Sequence, residues 1–273
     1  MYLEYWGLKK FPFENVPNPD FMYYSPEHEE ALARLFYVVR GNKGVVLISG
    51  EVGSGKTTLS RVLINQLPPE EYDIGLMTNP SLKPLDFLRE VLFNLDLNPG
   101  RYKSKATLLK LLRETMLKNL RENRTTLLIF DEAQLISKET FEEIRLLLNF
   151  QLNDRFMMTV ILLGQPELRT TVKSMVQLDQ RIAIRYHLNP LNEVETDRYI
   201  DFRLKKSGAG KVLFTDDGKA EIYHHSRGIP RVINNVCDMS LMIGYIAKAA
   251  AVDADIVKKA VEDAGVVPVS NSG

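Results

Sequence analysis

Cysteine is nearly absent from this chain: Cys237 is the single one in 273 residues. That excludes a disulfide framework and a four-cysteine zinc site. Nothing in it points to an oxidising compartment. Histidine is scarce too, and His187, His224 and His225 have no ligand spacing with the cysteine. Net charge is missing. Lys+Arg and Asp+Glu number 35 each, so the chain lacks the basic excess of a dedicated polyanion binder. It has no uninterrupted run of about 18 apolar residues. The nearest stretch, Val236 to Val252, contains Asp238 and Lys248 and reads as a buried helix. No basic segment followed by an apolar core opens the chain, so no signal peptide is visible. The expected location is the cytoplasm, or the inner face of the cytoplasmic membrane if the chain is part of a longer protein.

What is present suits a folded protein. Apolar residues make up 45%, which with zero net charge excludes disorder. The first 25 residues are rich in aromatics and proline, among them Tyr2, Trp6, Phe11, Phe13, Phe21 and Tyr23. Such a segment needs a surface to cover. Ser25-Pro26 starts a helix that runs to about Arg40. Beyond it, short apolar strands at 45–49, 72–78, 126–130 and 157–163 alternate with helical periodicity at 56–67, 84–95, 105–121 and 138–151. A short fifth strand is expected at 186–188. This alternation predicts an α/β fold with a parallel sheet covered on both faces. After Pro190 only helices are expected, at 193–206, 215–226, 230–249 and 253–264. The expected organisation is an α/β core over 1–190, a helical lid over 191–265, and a tail or linker over 266–273; the core reads as nucleotide-binding on the motif that follows.

The core assignment rests on Gly50-Glu51-Val52-Gly53-Ser54-Gly55-Lys56-Thr57, a full match to G-x-x-x-x-G-K-[ST] between a strand and a helix. Glycines let consecutive N–H groups curl around phosphate oxygens. The following helix, which also carries Thr58, offers its positive end to the anion. Lys56 reaches the β- and γ-phosphates, and the Thr57 hydroxyl ligates Mg²⁺. ATP and Mg²⁺ are the expected cofactors. A later strand ends in Asp131-Glu132. Asp131 is expected to hold the metal, usually through water, and Glu132 to activate the attacking water. Both belong at the carboxyl end of the sheet, where ligands of open α/β folds bind.

Further candidates lie on neighbouring strand ends. Gln165, after Val160 to Gly164, is read as a sensor of the γ-phosphate or the lytic water. Asn79 either restrains Glu132 by a hydrogen bond or is a turn residue in Asn79-Pro80-Ser81. Arg181 is the first choice for an arginine finger reaching a neighbour's γ-phosphate, Arg185 the second, and an ordinary ion pair is the alternative for both. Arg231 sits in the first turn of a helix, where a cation opposes the dipole. That placement suggests it reads the nucleotide phosphates from the lid. His28 reads as structural and Cys237 as a core residue.

With these residues in view, the sequence resembles AAA+ ATPases, and more narrowly the ATPase domain of the general secretion pathway protein A (ExeA) family. The resemblance rests on the phosphate loop and on Tyr5-Trp6-Gly7-Leu8, Phe21 to Ser25, Asp131-Glu132-Ala133-Gln134, Gly164-Gln165-Pro166-Glu167-Leu168, Gln180-Arg181-Ile182, Tyr186-His187-Leu188 and Gly228-Ile229-Pro230-Arg231. It implies a P-loop NTPase core with a C-terminal helical lid. It also implies an ATP-driven homo-oligomer, ring or filament, with active sites between subunits. Lys56, Thr57, Asp131 and Glu132 match the nucleotide site, Arg181 the finger and Arg231 the second sensor. In secretion members the ATPase domain precedes a transmembrane helix and a periplasmic part, and a partner protein helps place the outer-membrane secretin. This sequence stops at Gly273, where that helix would be expected, so it is expected to be part of a longer protein or a standalone member. An envelope partner is therefore expected. The alternative is a DNA-linked ATPase that regulates transposition. Lys103, Lys105, Lys110, Arg113, Lys118, Arg121 and Arg124 form a modest basic stretch for it, but zero net charge disfavours that reading.

Overall fold

The computed structural model describes residues 2–100, 104–152 and 155–263. The chain divides into two compact units. Among the described residues, one holds Pro26–Gly50 and Lys56–Leu188; the other holds residues 2–25, Glu51–Gly55 and 189–263. The tail expected at 266–273 and Lys103 of the basic stretch lie outside the described residues.

The larger unit is built on a parallel sheet. Its strands are β1 (Val45–Gly50), β2 (Tyr72–Met77), β3 (Thr125–Phe130), β6 (Met158–Gly164) and β7 (Ile182–Leu188), with a small antiparallel pair, β4 (Gln151–Leu152) and β5 (Arg155–Phe156), outside the main sheet. The main order is β2-β3-β6-β1-β7. All four pairings are parallel, for example Leu47 opposite Leu162, Leu128 opposite Val160 and Ile74 opposite Leu127. Every residue of β1 and β6 is buried, as expected of central strands covered on both faces. Leu47, Leu128, Leu162, Phe87, Phe130 and Phe141 belong to one continuous core. After β1, which lies between β6 and β7, the chain crosses by helix Lys56–Gln66 to β2 at the far edge, and the later strands return toward β1. The strand order therefore reverses at β1. In open α/β sheets the crevice beside that reversal, at the carboxyl ends, is where ligands bind.

Two expectations shift. The last strand is seven residues long and starts at Ile182, not at Tyr186. It is an edge strand, and its exposed alternation (Ala183, Arg185) hides the apolar signal. The helix expected over 138–151 ends at Leu147, with Leu148 as its cap; the residues after it lead into the β4–β5 pair.

The smaller unit is helical: Glu193–Lys206, Asp216–Ser226, Pro230–Ile246 and Ala254–Asp263. Its starts are written in the sequence. Asn192 and Glu195 form a capping box, Thr215 caps the second helix, and Pro230 opens the third. Residues 2–25, which the sequence pattern grouped with the core, group with this unit. Trp6 is 1% exposed and its indole Nε1 donates to the Leu241 carbonyl at 2.9 Å. The Tyr2 hydroxyl donates to Asp238. Arg203 ties the segment down from its own helix, donating to the carbonyls of Pro12 at 2.6 Å and Glu14 at 2.9 Å. A buried guanidinium is tolerable only when its N–H groups are used in this way. No helix among the described residues is long and apolar enough to cross a membrane.

Candidate nucleotide-binding site

The site begins where β1 runs out. Gly53 and Gly55 have φ of +81° and +99°, a region that side-chain-bearing residues rarely occupy. These two positions let the chain curl back before helix Lys56–Gln66 begins. The inner residues of the loop, Glu51–Gly55, group with the helical unit. Within that unit the Arg231 amide donates to the Gly53 carbonyl at 3.3 Å. A Cβ on Gly53 would lie 2.3 Å from the Cβ of Arg231. Val52 is 49% exposed at the loop tip, and Glu51 takes the Ser54 amide on its carbonyl at 3.1 Å.

In the larger unit, Lys56 is 5% exposed, and its ammonium donates to the Gly50 carbonyl at 2.8 Å. Burying an ammonium is unfavourable unless it is hydrogen-bonded and faces an anion. One position on, the Thr57 hydroxyl donates to Asp131 Oδ2 at 2.5 Å. Asp131 is 3% exposed. Burial pushes its carboxyl above the usual carboxylate range, and the Thr57 hydroxyl and the Glu132 amide partly oppose that shift. The result is a buried carboxylate whose charged form lacks full compensation, beside a hydroxyl. Two hard oxygen donors of this kind fit Mg²⁺. Thr58 follows, half-buried, in the same helical turn.

Glu132 has φ of +52° and ψ of +37°, left-handed backbone that a glutamate adopts only under local constraint. Its amide donates to Asp131 Oδ1 at 2.9 Å. Its carboxylate is held by Gln134, whose Nε2 donates to Glu132 Oε2 at 2.6 Å. The Gln134 Oε1 in turn accepts the Gln165 amide at 3.0 Å. The strand ends of β3 and β6 are thus joined by one side chain. Gln134 carried no role in the sequence reading; its only signal was its place in the run Asp131 to Gln134.

The remaining candidates are placed as follows. Gln165 stands at the end of β6, half-buried. Asn79 accepts the Ser81 amide on Oδ1 at 3.5 Å, the turn arrangement, and Glu132 has Gln134 as its side-chain partner instead. Arg181 donates to the Leu148 carbonyl at 2.8 Å and to Asn149 Oδ1 at 2.5 Å. Arg185 is paired with Asp179 at 2.7 Å. Arg231 is exposed on the first turn of helix Pro230–Ile246. In the basic stretch, Lys105 pairs with Glu143, Lys110 with Glu114 and Lys118 with Glu122, at 2.7, 3.8 and 3.9 Å. Acids therefore offset that stretch. Cys237 is fully buried, which raises its thiol pKa well above the ordinary value, as befits a core residue.

A parallel sheet whose first strand feeds a glycine loop, a buried lysine and a Thr–Asp pair defines a P-loop nucleotide-binding protein. Residues 39–172 match the AAA domain family. Over 247 residues the chain is 38% identical to General secretion pathway protein A of Aeromonas hydrophila, a match covering 90% of this chain and 45% of that protein. Residues 39–172 therefore carry an AAA domain, and the chain resembles that secretion protein, of which it spans less than half the length. Among solved structures it shares its fold with Cdc6p from Pyrobaculum aerophilum (TM-score 0.72, 15% identity, 91% of this chain and 71% of that one). The ORC2 protein of Aeropyrum pernix is similar too (0.68, 16%, 93% and 73%), as is the RuvB branch migration motor of Thermotoga maritima (0.59, 19%, 93% and 73%).

Proposed function

We propose that the chain binds ATP with Mg²⁺ and hydrolyses it to ADP and phosphate. It would do so in a homo-oligomer with active sites between subunits, driving assembly or remodelling of a bacterial envelope secretion or pilus system from the cytoplasmic side. The observation that carries the chemical half is the Thr57–Asp131 hydrogen bond at 2.5 Å, one residue from the buried Lys56 ammonium. Bound Mg-ATP would supply the phosphoryl group and the metal charge that neutralises it. Backbone N–H groups from Gly50 to Thr58 cradle the phosphates, and Lys56 adds a point charge. Thr57 and Asp131 hold the metal. Glu132 takes a proton from the attacking water, and Gln165 senses that water or the terminal phosphate. Asn79 would restrain Glu132 by a hydrogen bond after releasing the Ser81 amide. Arg181 is proposed as the finger and must first release Leu148 and Asn149; Arg185 would have to leave Asp179. Arg231 reads the phosphates from the helical region, which acts as the lid. The envelope role rests on the similarity to General secretion pathway protein A.

Glu132→Gln should keep ATP bound while turnover falls by about 10²- to 10⁴-fold, and Lys56→Ala should lose both. Single-turnover hydrolysis at full rate in Glu132→Gln would sink the assignment. For the process, an envelope protein co-purifying with the chain supports secretion. DNA binding with a steep salt dependence would favour the transposition-type alternative instead.

A further inference from the structure

From the contacts at the ends of β3 and β6, we infer that Gln134 is a positioning residue for hydrolysis. It fixes the Glu132 carboxylate and locks its orientation to the backbone at Gln165. The inference rests on the ATPase reading above and adds to it a residue that the phosphate-loop and acidic-pair motifs do not include.

Three observations carry it. First, Glu132 sits in left-handed backbone at φ +52°, so its side chain leaves the strand in a direction that regular geometry would not give. Something must then define where the carboxylate points. Second, Gln134 supplies that definition. It occupies the middle of the short turn Ala133–Leu135, and its amide N–H holds one carboxylate oxygen at 2.6 Å while its amide oxygen holds the Gln165 N–H at 3.0 Å. A primary amide can do both at once because it carries a donor and an acceptor on one rigid plane. A carboxylate or an ammonium there could satisfy only one side. Third, the neighbouring backbone leaves room for this amide and little more. A Cβ on Gly164 would lie 2.8 Å from Gln134 Oε1 and 3.2 Å from the Gln134 backbone nitrogen, so Gly164 lets the bridge approach the end of β6.

The consequence is mechanical. With one oxygen held by Gln134, Glu132 presents the other to a water. Any movement of the Gln165 backbone is passed to the carboxylate through two hydrogen bonds. An alteration at the end of β6 therefore changes the aim of the general base without touching it.

The experiment compares the full chain with Gln134→Ala, Glu132→Gln, the double variant and Lys56→Ala. It measures steady-state ATP hydrolysis with Mg²⁺, equilibrium binding of a fluorescent ATP analogue, and amide hydrogen exchange at Gln165 in nucleotide-free protein. Gln134→Ala should lower kcat by about 10- to 100-fold, the scale on which a misplaced catalytic group is felt. KM and analogue affinity should stay within about threefold, because an aiming defect leaves nucleotide binding alone. The loss should disappear in the Glu132→Gln background, since one residue acts through the other. Exchange at Gln165 should quicken in Gln134→Ala, while Leu162 and Leu163 inside β6 stay protected. An unchanged or raised kcat in Gln134→Ala overturns the inference, as do losses that multiply with Glu132→Gln or a Gln165 amide that exchanges as in wild type. Wild-type hydrolysis no faster than Lys56→Ala is a different failure: it removes the ATPase reading itself, and the positioning role with it.

Discussion

Replacing Gly53 by alanine adds one methyl group to the phosphate loop, and the structure fixes what that methyl meets. Its carbon would stand 2.3 Å from Arg231 Cβ and 3.1 and 3.2 Å from Arg231 Cδ and Cγ. Carbon atoms prefer about 3.5–4.0 Å, so the nearest contact must open by more than an ångström. Arg231 cannot swing its Cβ away, because that atom is fixed to helical backbone whose amide is bound to the Gly53 carbonyl. Overpacking of this kind costs about 1–3 kcal/mol. The backbone adds its own term: at φ +81° an L-residue loses about 1–2 kcal/mol against glycine. Together they amount to about 2–5 kcal/mol against the loop conformation that cradles phosphate. If nucleotide binding requires that conformation, affinity should fall by about 30- to several thousand-fold. Arg231→Gly divides the two terms. In that background the collision is gone, and Gly53→Ala should weaken binding by only about 5- to 30-fold. Titration of a fluorescent ATP analogue against the four proteins reads both numbers. Gly53→Ala binding within threefold of wild type, or an equal loss with and without Arg231, would refute the argument.

Three further outcomes follow from the geometry. Gly228→Ala would place a methyl 1.7 Å from the Leu191 carbonyl oxygen at φ +76°, and backbone cannot yield cheaply. Urea denaturation should show a loss of about 2–5 kcal/mol with an unchanged m-value, and a loss under 1 kcal/mol would contradict it. Asp131 supplies a pH test. Its folded pKa is raised, so between the ordinary carboxylate value and the raised one the folded state holds a proton that the unfolded state releases. Stability then falls as pH rises through that window. Without nucleotide or metal, Asp131→Asn should melt above wild type at neutral pH, with the gap closing on acidification; a variant no more stable at neutral pH would reverse the sign. Adding Mg-ATP should raise the melting temperature of wild type but not of Asp131→Asn, and equal shifts would remove Asp131 from the metal site.

The parts legible in the sequence were those written contiguously. Val45 to Ser49 announces a doubly covered strand because every residue is apolar or small, and Gly50 to Thr57 is one uninterrupted motif. The acidic pair is legible because Leu127 to Phe130 points straight at it. Legibility failed where the signal is divided. The edge strand Ile182–Leu188 mixes exposed and buried positions, so only its last three residues stood out. Trp6 and Phe13 are plainly anchored residues, but their partners lie more than 200 positions away in the helical unit, and no local pattern names them. The bridge from Glu132 through Gln134 to Gln165 is invisible for the same reason. It depends on two strand ends being neighbours and on a left-handed glutamate, neither of which a linear motif encodes. Arg181 could be nominated as a finger from its position, whereas its contacts with Leu148 and Asn149 required the fold.

The aromatic clasp in the helical unit also bears on how the chain is made. Trp6 is translated 235 positions before its indole acceptor, Leu241. Synthesis at ~5–20 residues per second separates the two by roughly 10–50 seconds. Most of the sheet unit, lying between them, can acquire its core in that interval. Residues 2–25 cannot: they are synthesised before the helical unit, a tether of apolar rings waiting for a surface not yet translated. Folding of the helical unit is therefore set by the closure of a very long loop, and it waits until helix Pro230–Ile246 is free. A chain released before Leu241 would carry that tether permanently exposed, a natural mark for chaperone capture or proteolysis.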